Sequence, residues 1–316
     1  MKTKKLDVYT VPPREGVDNL YPTNVDCWKQ PALHLLVGQR TAGKSYLASK
    51  ILAQCEKDKT FSVVYMITPS FNSNQAYFGP YIKIEHVFDP TGDSISQVIS
   101  RVEADRDEWE RFLEEKKTYE RFEKYMRQTD SLIDDHMLLQ FHDMGLLGDG
   151  KKPVWKYGKE EPPKSCLILD DCLSSPAILQ SSGLTKVATL NRHIAPLKQP
   201  HSGRSACGLA IMILSQTYKM TGGLGRCLRE NVSVLTLFKN RQEKQLDSIK
   251  EELANVVPIE LFEQAYGYAT SEKYGSLTID FAPKCSSQVF RKNLNEAILF
   301  DELKCECHTG KKNMSS

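Results

Sequence analysis

The sequence predicts an α/β fold built on a mostly parallel sheet with helices on both faces, and three observations predict it. Short, nearly continuous apolar runs recur along the chain, as expected where both faces of a sheet are covered. Helical stretches separate most of these runs, the alternation of βα units. The first run leads into a glycine-rich loop, GQRTAGKS from Gly38 to Ser45, and the loop leads into a helix.

The core begins at Leu33. LHLLVG, VVYMIT (63–68), SCLILD (165–170), LAIMILSQ (209–216), SVLTLFK (233–239) and SLTIDF (276–281) are the six predicted strands. Predicted helices fill Ser45 to Lys57, Ser181 to Arg192 and Gln242 to Val256. Residues 1–32 mix Pro, Lys and Asp without periodicity and read as a lead-in packed on one main domain, 33–300; residues 301–316 read as a frayed tail. Between the second and third strands lies a long insert, Asp93 to Pro163. It carries Val98, Val102, Trp109, Phe112, Leu113, Tyr119, Phe122 and Met126 at helical steps, which predicts a long helix or helical hairpin. Its alternating charges fit either a solvated face laid on the core or a contact with a partner.

At 316 residues the chain is long enough to bury one large α/β core. Lys and Arg (42) nearly balance Asp and Glu (40), so any surface for nucleic acid must be local. The nine cysteines are odd in number and scattered, the pattern of reduced thiols in an intracellular protein. Cys285, Cys305, Cys307 and His308 lack paired knuckle spacing and are read as no zinc site. No apolar run reaches the length of a membrane span or an export signal, so no membrane association is expected.

The loop carries the chemistry. Gly38, Gln39, Arg40, Thr41, Ala42, Gly43, Lys44 and Ser45 form a GxxxxGKS phosphate cradle, in which backbone amides at a helix N-terminus hold phosphate and the two end glycines relieve the turn. Lys44 is expected to reach the β- and γ-phosphates of ATP, and the Ser45 hydroxyl to hold Mg²⁺. The run CLILDD delivers two carboxylates to the carboxyl edge of a buried strand. Asp170 is expected to hold the ion and Asp171 to orient or deprotonate the attacking water, with a helix N-cap as the alternative role for Asp171. Gln216, at the end of LAIMILSQ, is placed to sense the γ-phosphate, with Ser215 sharing that role. Arg229, with Arg226 nearby, is a candidate arginine finger for a neighbouring subunit, or else a solvated loop residue.

With GQRTAGKS, LILDD, the LNRH segment (Leu190 to His193), ILSQ and RENVSVLTLFK in this order, residues 33–281 resemble the FtsK-HerA superfamily of P-loop ATPases. The resemblance is strongest to the genome-packaging ATPases of nucleocytoplasmic large DNA viruses, virophages and related elements. It implies a RecA-like (ASCE) fold and an ATPase that translocates double-stranded DNA, without sequence preference, into a preformed capsid. It further implies a homo-oligomeric ring, pentamer or hexamer, docked on capsid vertex proteins, working in the host cytoplasm, a viral factory or the virion. It assigns Gln216 as sensor and Arg229 as finger. Asn191, Arg192, His193, Lys198, His201 and Arg204 form a local basic stretch suited either to DNA phosphates or to packing against the nucleotide site or a neighbour. Two readings compete: a P-loop phosphotransferase, and a nucleotide-dependent switch or GTPase, the latter weakened because no NKxD guanine-reading motif follows the carboxylate strand.

Overall fold

The computed structural model describes residues 19–21, 23, 27–127, 134–148, 150–172, 175–219, 225–240, 243–254, 257–283 and 288–300. The metal-site residues considered above, Cys285, Cys305, Cys307 and His308, lie outside them, as do the tail and most of the lead-in.

All six predicted strands form: β1 (Leu33–Val37), β2 (Val63–Ile67), β4 (Ser165–Asp170), β7 (Leu209–Ser215), β8 (Val234–Phe238) and β9 (Ser276–Asp280). The short strands β3 (Val87–Phe88), β10 (Phe290–Lys292) and β11 (Glu296–Ala297) complete a nine-stranded sheet ordered β11-β10-β9-β8-β1-β7-β4-β2-β3. From β8 to β3 every pair is parallel, and β9, β10 and β11 run antiparallel. β9 departs from the parallel pattern because two helices, α8 (Glu243–Leu253) and α9 (Ile259–Ala269), separate it from β8, returning the chain to the edge that β8 had just left.

The runs are continuous because alternate residues enter different cores. One core takes Leu35, Val37, Leu167, Leu169, Ile211, Ile213, Leu235 and Leu237 against helices that include α6 (Ser182–Leu190), α8 and α9. The other takes Leu36, Cys166, Ile168, Met212 and Leu214 against α1 (Lys44–Lys57) and α2 (Phe71–Phe78). A strand buried on both faces has no polar side to display, which removes the alternation a half-exposed strand would show. The segment that follows α8 is also a helix, α9, which buries Leu261, Phe262, Ala265 and Ala269.

The insert opens with α3 (Ser94–Arg127), whose 34 residues span about 51 Å at 1.5 Å per residue. Its first half lies on the domain: Ile95, Val98, Ile99 and Val102 join the main core, while Trp109 and Phe112 pack with Trp155. Asp105 accepts hydrogen bonds from Lys156 (2.6 Å) and Tyr157 (3.0 Å), tying the end of the insert back to the helix. Further along, the rings of Phe122 and Tyr125 meet Phe141 of α4 (Asp135–Asp143), and Met126 is exposed. The helix is thus laid on the core at its start and forms a helical hairpin with α4 at its end.

Candidate functional site

The loop from Gly38 to Ser45 crosses the carboxyl edge of β1 and enters α1. Gly38 donates its N–H to the Ser215 carbonyl at the end of β7 (3.0 Å), which fixes the start of the loop to the neighbouring strand. A Cβ on Gly38 would lie 2.9 Å from Cβ and Cδ2 of Phe238 and 3.1 Å from Cβ of Ala42, so any side chain there collides with the end of β8. Gly43 has φ 104, a left-handed conformation that strains every L-residue, and it caps α1. Thr41 also sits at positive φ, 63.

Lys44 is buried, and its ammonium donates to the carbonyls of Gly38 (2.7 Å) and Gln39 (3.2 Å), so the lysine ties the loop to itself. Burial lowers its pKa against the opposing pull of Asp171 and Asp170, which places both carboxylates in its electrostatic surroundings. Asp170, at the end of β4, is buried and accepts a hydrogen bond from Asn74 Nδ2 (3.0 Å). Burial, with the charge of Asp171, pushes its carboxyl up to about 6, against Lys44 and the Asn74 hydrogen bond.

Asp171 leaves the strand at φ 51, a turn that lifts its carboxylate off the sheet to an exposed position where Gln216 Nε2 donates to its Oδ1 (3.2 Å). It caps no helix: the N-caps of the following helices, α5 (Pro176–Leu179) and α6, are Ser175 and Ser181. Ser215 stands apart from this pair, because its buried hydroxyl donates to the Thr217 carbonyl (2.7 Å) and accepts from the Thr217 N–H (3.3 Å); a role shared with Gln216 is not supported. Two adjacent carboxylates beside a single ammonium leave this edge rich in oxygen donors and short of positive charge. That donor set, with the Ser45 hydroxyl, fits a hard divalent cation such as Mg²⁺.

The strand order explains how the three segments meet. β7 lies between β1, which carries the loop, and β4, which carries the carboxylates, with Val37 opposite Ser215 and Asp170 opposite Leu214. Gln216 therefore emerges between loop and carboxylates, and β8 closes the far side of β1 to give the order β8-β1-β7-β4-β2. This is a RecA-like P-loop NTPase fold.

No protein-family model matches the chain, and no curated protein matches it. Solved structures do. The chain is similar to the genome packaging NTPase B204 of Sulfolobus turreted icosahedral virus 2 in complex with ATP-gammaS, at 15% identity and TM-score 0.38 over 83% of this chain and 96% of that one. It is similar to B204, the DNA-packaging ATPase of Sulfolobus turreted icosahedral virus, at 12% identity and TM-score 0.39 over 83% and 96%. It is also similar to ATPases 2 and 3 of EssC from Geobacillus thermodenitrificans, at 12% identity and TM-score 0.37 over 75% and 42%.

Within the P-loop fold, Arg229 stands away from the phosphate edge. It belongs to α7 (Arg226–Glu230), which precedes the amino end of β8, where Val234 pairs with His34 near the start of β1. Its guanidinium makes a two-pronged ion pair with Glu252 of α8, both contacts 3.1 Å, and lies 5.7 Å from the ring centre of Tyr218. The solvated-loop alternative is thereby corrected, since the side chain is only 12% exposed.

The basic stretch opens with a 3₁₀ turn, Asn191–His193, and continues as a hairpin, β5 (Pro196–His201) and β6 (Arg204–Ala206), that leads into the amino end of β7. Arg204 is buried, donating to the carbonyls of Pro162 (2.7 Å) and Cys207 (3.3 Å), and buried Asn191 donates to the Pro31 carbonyl (3.3 Å). Both side chains are buried and committed to these backbone carbonyls, and the LNRH segment packs at the edge opposite the nucleotide loop.

Sequence reasoning missed Asn74, Phe238 and Tyr274. Asn74 sits in a polar helix, α2, with no motif around it and reaches Asp170 only because β2 pairs with β4. Phe238 and Tyr274 flank the loop glycines. Among the described residues, no group of three or more His, Cys, Asp or Glu side chains could hold a metal, and no helix is long and apolar enough to cross a membrane.

Proposed function

We propose that the protein hydrolyses ATP and uses the energy to translocate double-stranded DNA into a preformed viral capsid. The observation that carries the ATPase reading is the convergence of Lys44, Asp170, Asp171 and Gln216 on one sheet edge through the placement of β7. The loop amides and Lys44 would bind the triphosphate, which requires the ammonium to exchange the Gly38 and Gln39 carbonyls for phosphate oxygens. Mg²⁺, held by Ser45 and Asp170, would neutralise phosphate charge. Asp171 would orient or deprotonate the attacking water. Gln216, already bonded to Asp171, would report the γ-phosphate to the chain that follows β7.

DNA as substrate, a ring of five or six subunits and docking on capsid vertex proteins rest on the sequence resemblance, as does work in the host cytoplasm, viral factory or virion. In such a ring Arg229 would serve a neighbour's nucleotide after leaving Glu252. The test is steady-state ATP hydrolysis with and without long duplex DNA, at several protein concentrations and low salt, with Lys44→Ala as the blank. Stimulation by duplex that steepens with protein concentration supports the motor. Hydrolysis indifferent to DNA, or dependent on a small acceptor, overturns it in favour of a switch or a phosphotransferase.

A further inference from the structure

The nucleotide loop has an aromatic neighbour that phosphate chemistry does not use. Tyr274 lies in the turn between α9 and β9, and because Ser276 of β9 pairs with Phe238 at the end of β8, this turn stands over the same carboxyl edge as the loop. A Cβ built on Gly43 would lie 3.6 Å from Cβ and Cδ1 of Tyr274 and 3.6 Å from Cε1 of Phe238, so the tyrosine abuts the turn into α1.

Two properties make a packing role a poor account of Tyr274. The residue is 56% exposed, so it buries little apolar surface. Its φ is 68, a left-handed conformation in which a bulky side chain is an outlier and Gly or Asn is at ease. The fold therefore bears strain to hold an exposed aromatic ring beside a phosphate cradle, a combination that points to a ligand. Lys273 Nζ lies 5.0 Å from the ring centre, and with the residue 56% exposed much of the ring is open to solvent.

A triphosphate held at the amino end of α1 leaves the rest of its nucleotide to extend past the loop. We infer that Tyr274 is the base platform of the site: the nucleobase of the bound triphosphate stacks on its ring, beside Phe238. This rests on the reading of Gly38 to Ser45 as the triphosphate cradle. Tyr46, the other exposed aromatic at the start of α1, is turned toward α2, where it meets the Tyr77 ring (6.4 Å) and lies under the Lys50 ammonium (4.7 Å).

The test is calorimetric binding of two probes, a non-hydrolysable ATP analogue and inorganic tripolyphosphate, to wild type, Tyr274→Asn, Tyr274→Phe, Tyr46→Ala and Lys44→Ala. Asn tolerates the left-handed backbone, so Tyr274→Asn removes the ring and keeps the turn. It should weaken the ATP analogue about tenfold, within the range for loss of base stacking, and leave tripolyphosphate unchanged. Tyr274→Phe should match wild type on both probes. The inference is overturned if Tyr274→Asn binds the analogue normally, if it loses both probes equally, or if Tyr46→Ala shows the selective loss instead. Lys44→Ala should lose both probes; if it loses neither, the cradle reading itself fails and the platform fails with it.

Discussion

Replacing Arg229 by Ala separates a structural clamp from a residue that only waits for a neighbour. The guanidinium makes two charge-assisted contacts of 3.1 Å to Glu252, and the two side chains are 12% and 31% exposed. A pair in that half-buried setting falls between exposed ion pairs, at about 0.2–1 kcal/mol, and buried charge-assisted bonds, at about 1.5–3 kcal/mol, so a coupling of about 1–1.5 kcal/mol is expected. Truncation also removes the cation from the Tyr218 ring, about 0.5 kcal/mol more. Arg229→Ala should therefore destabilise the chain by about 2 kcal/mol. Glu252→Gln should cost less, because Gln still accepts the Tyr218 hydroxyl that Glu252 now accepts at 2.8 Å. Urea unfolding of both single variants and the double variant gives the coupling directly, with the slope checked for constancy. An Arg229→Ala midpoint equal to wild type would refute the clamp. If Arg229 also serves a neighbour, Arg229→Ala abolishes turnover in assembled protein while Glu252→Gln, which frees the arginine, retains it.

Gly38→Ala should leave a folded protein with nucleotide affinity reduced at least about tenfold, because the new methyl meets Phe238 at 2.9 Å and the loop must move to accept it. Phe238→Leu should not rescue it, since Cβ of residue 238 is itself one of the clashing atoms; equilibrium binding of an ATP analogue decides both points. Asp171→Asn should bind ATP at least as tightly as wild type, since the charge that opposes Asp170 is gone, while turnover falls about a hundredfold or more. Turnover near wild type in that variant would move the base elsewhere. His34, buried with Nε2 2.8 Å from the Thr236 hydroxyl, has its pKa lowered by burial to about 3 from 6.5. The unfolded chain then binds the extra proton, so this stability is present above pH 6.5 and lost progressively as pH falls toward 3, about 2 kcal/mol by pH 5. Urea midpoints at pH 7 and pH 5 should show that loss, and His34→Asn should flatten it.

The sequence by itself determined the local chemistry and the parts of the sheet. GQRTAGKS and LILDD are contiguous, and their neighbours in the chain, an apolar strand on one side and a helix on the other, are the context that gives them meaning. The six long strands were legible because burial on both faces writes a continuous apolar run. The direction of β9 was not, since it depends on two helices intervening where one was expected.

Tertiary structure alone decided what those parts meet. Asn74 and Asp170 are 96 residues apart and join because β2 pairs with β4; Gln216 and Asp171 are 45 apart and join because β7 lies beside β4. The partner of Arg229, the burial of Arg204 and Asn191, and the position of Tyr274 over Gly43 were equally invisible in the chain. Apolar patterning records which side of a strand is dry, and it carries no record of which strand lies next to it. That adjacency comes from packing the whole sheet, and here it brings the nucleotide loop, the carboxylates and the glutamine to one edge.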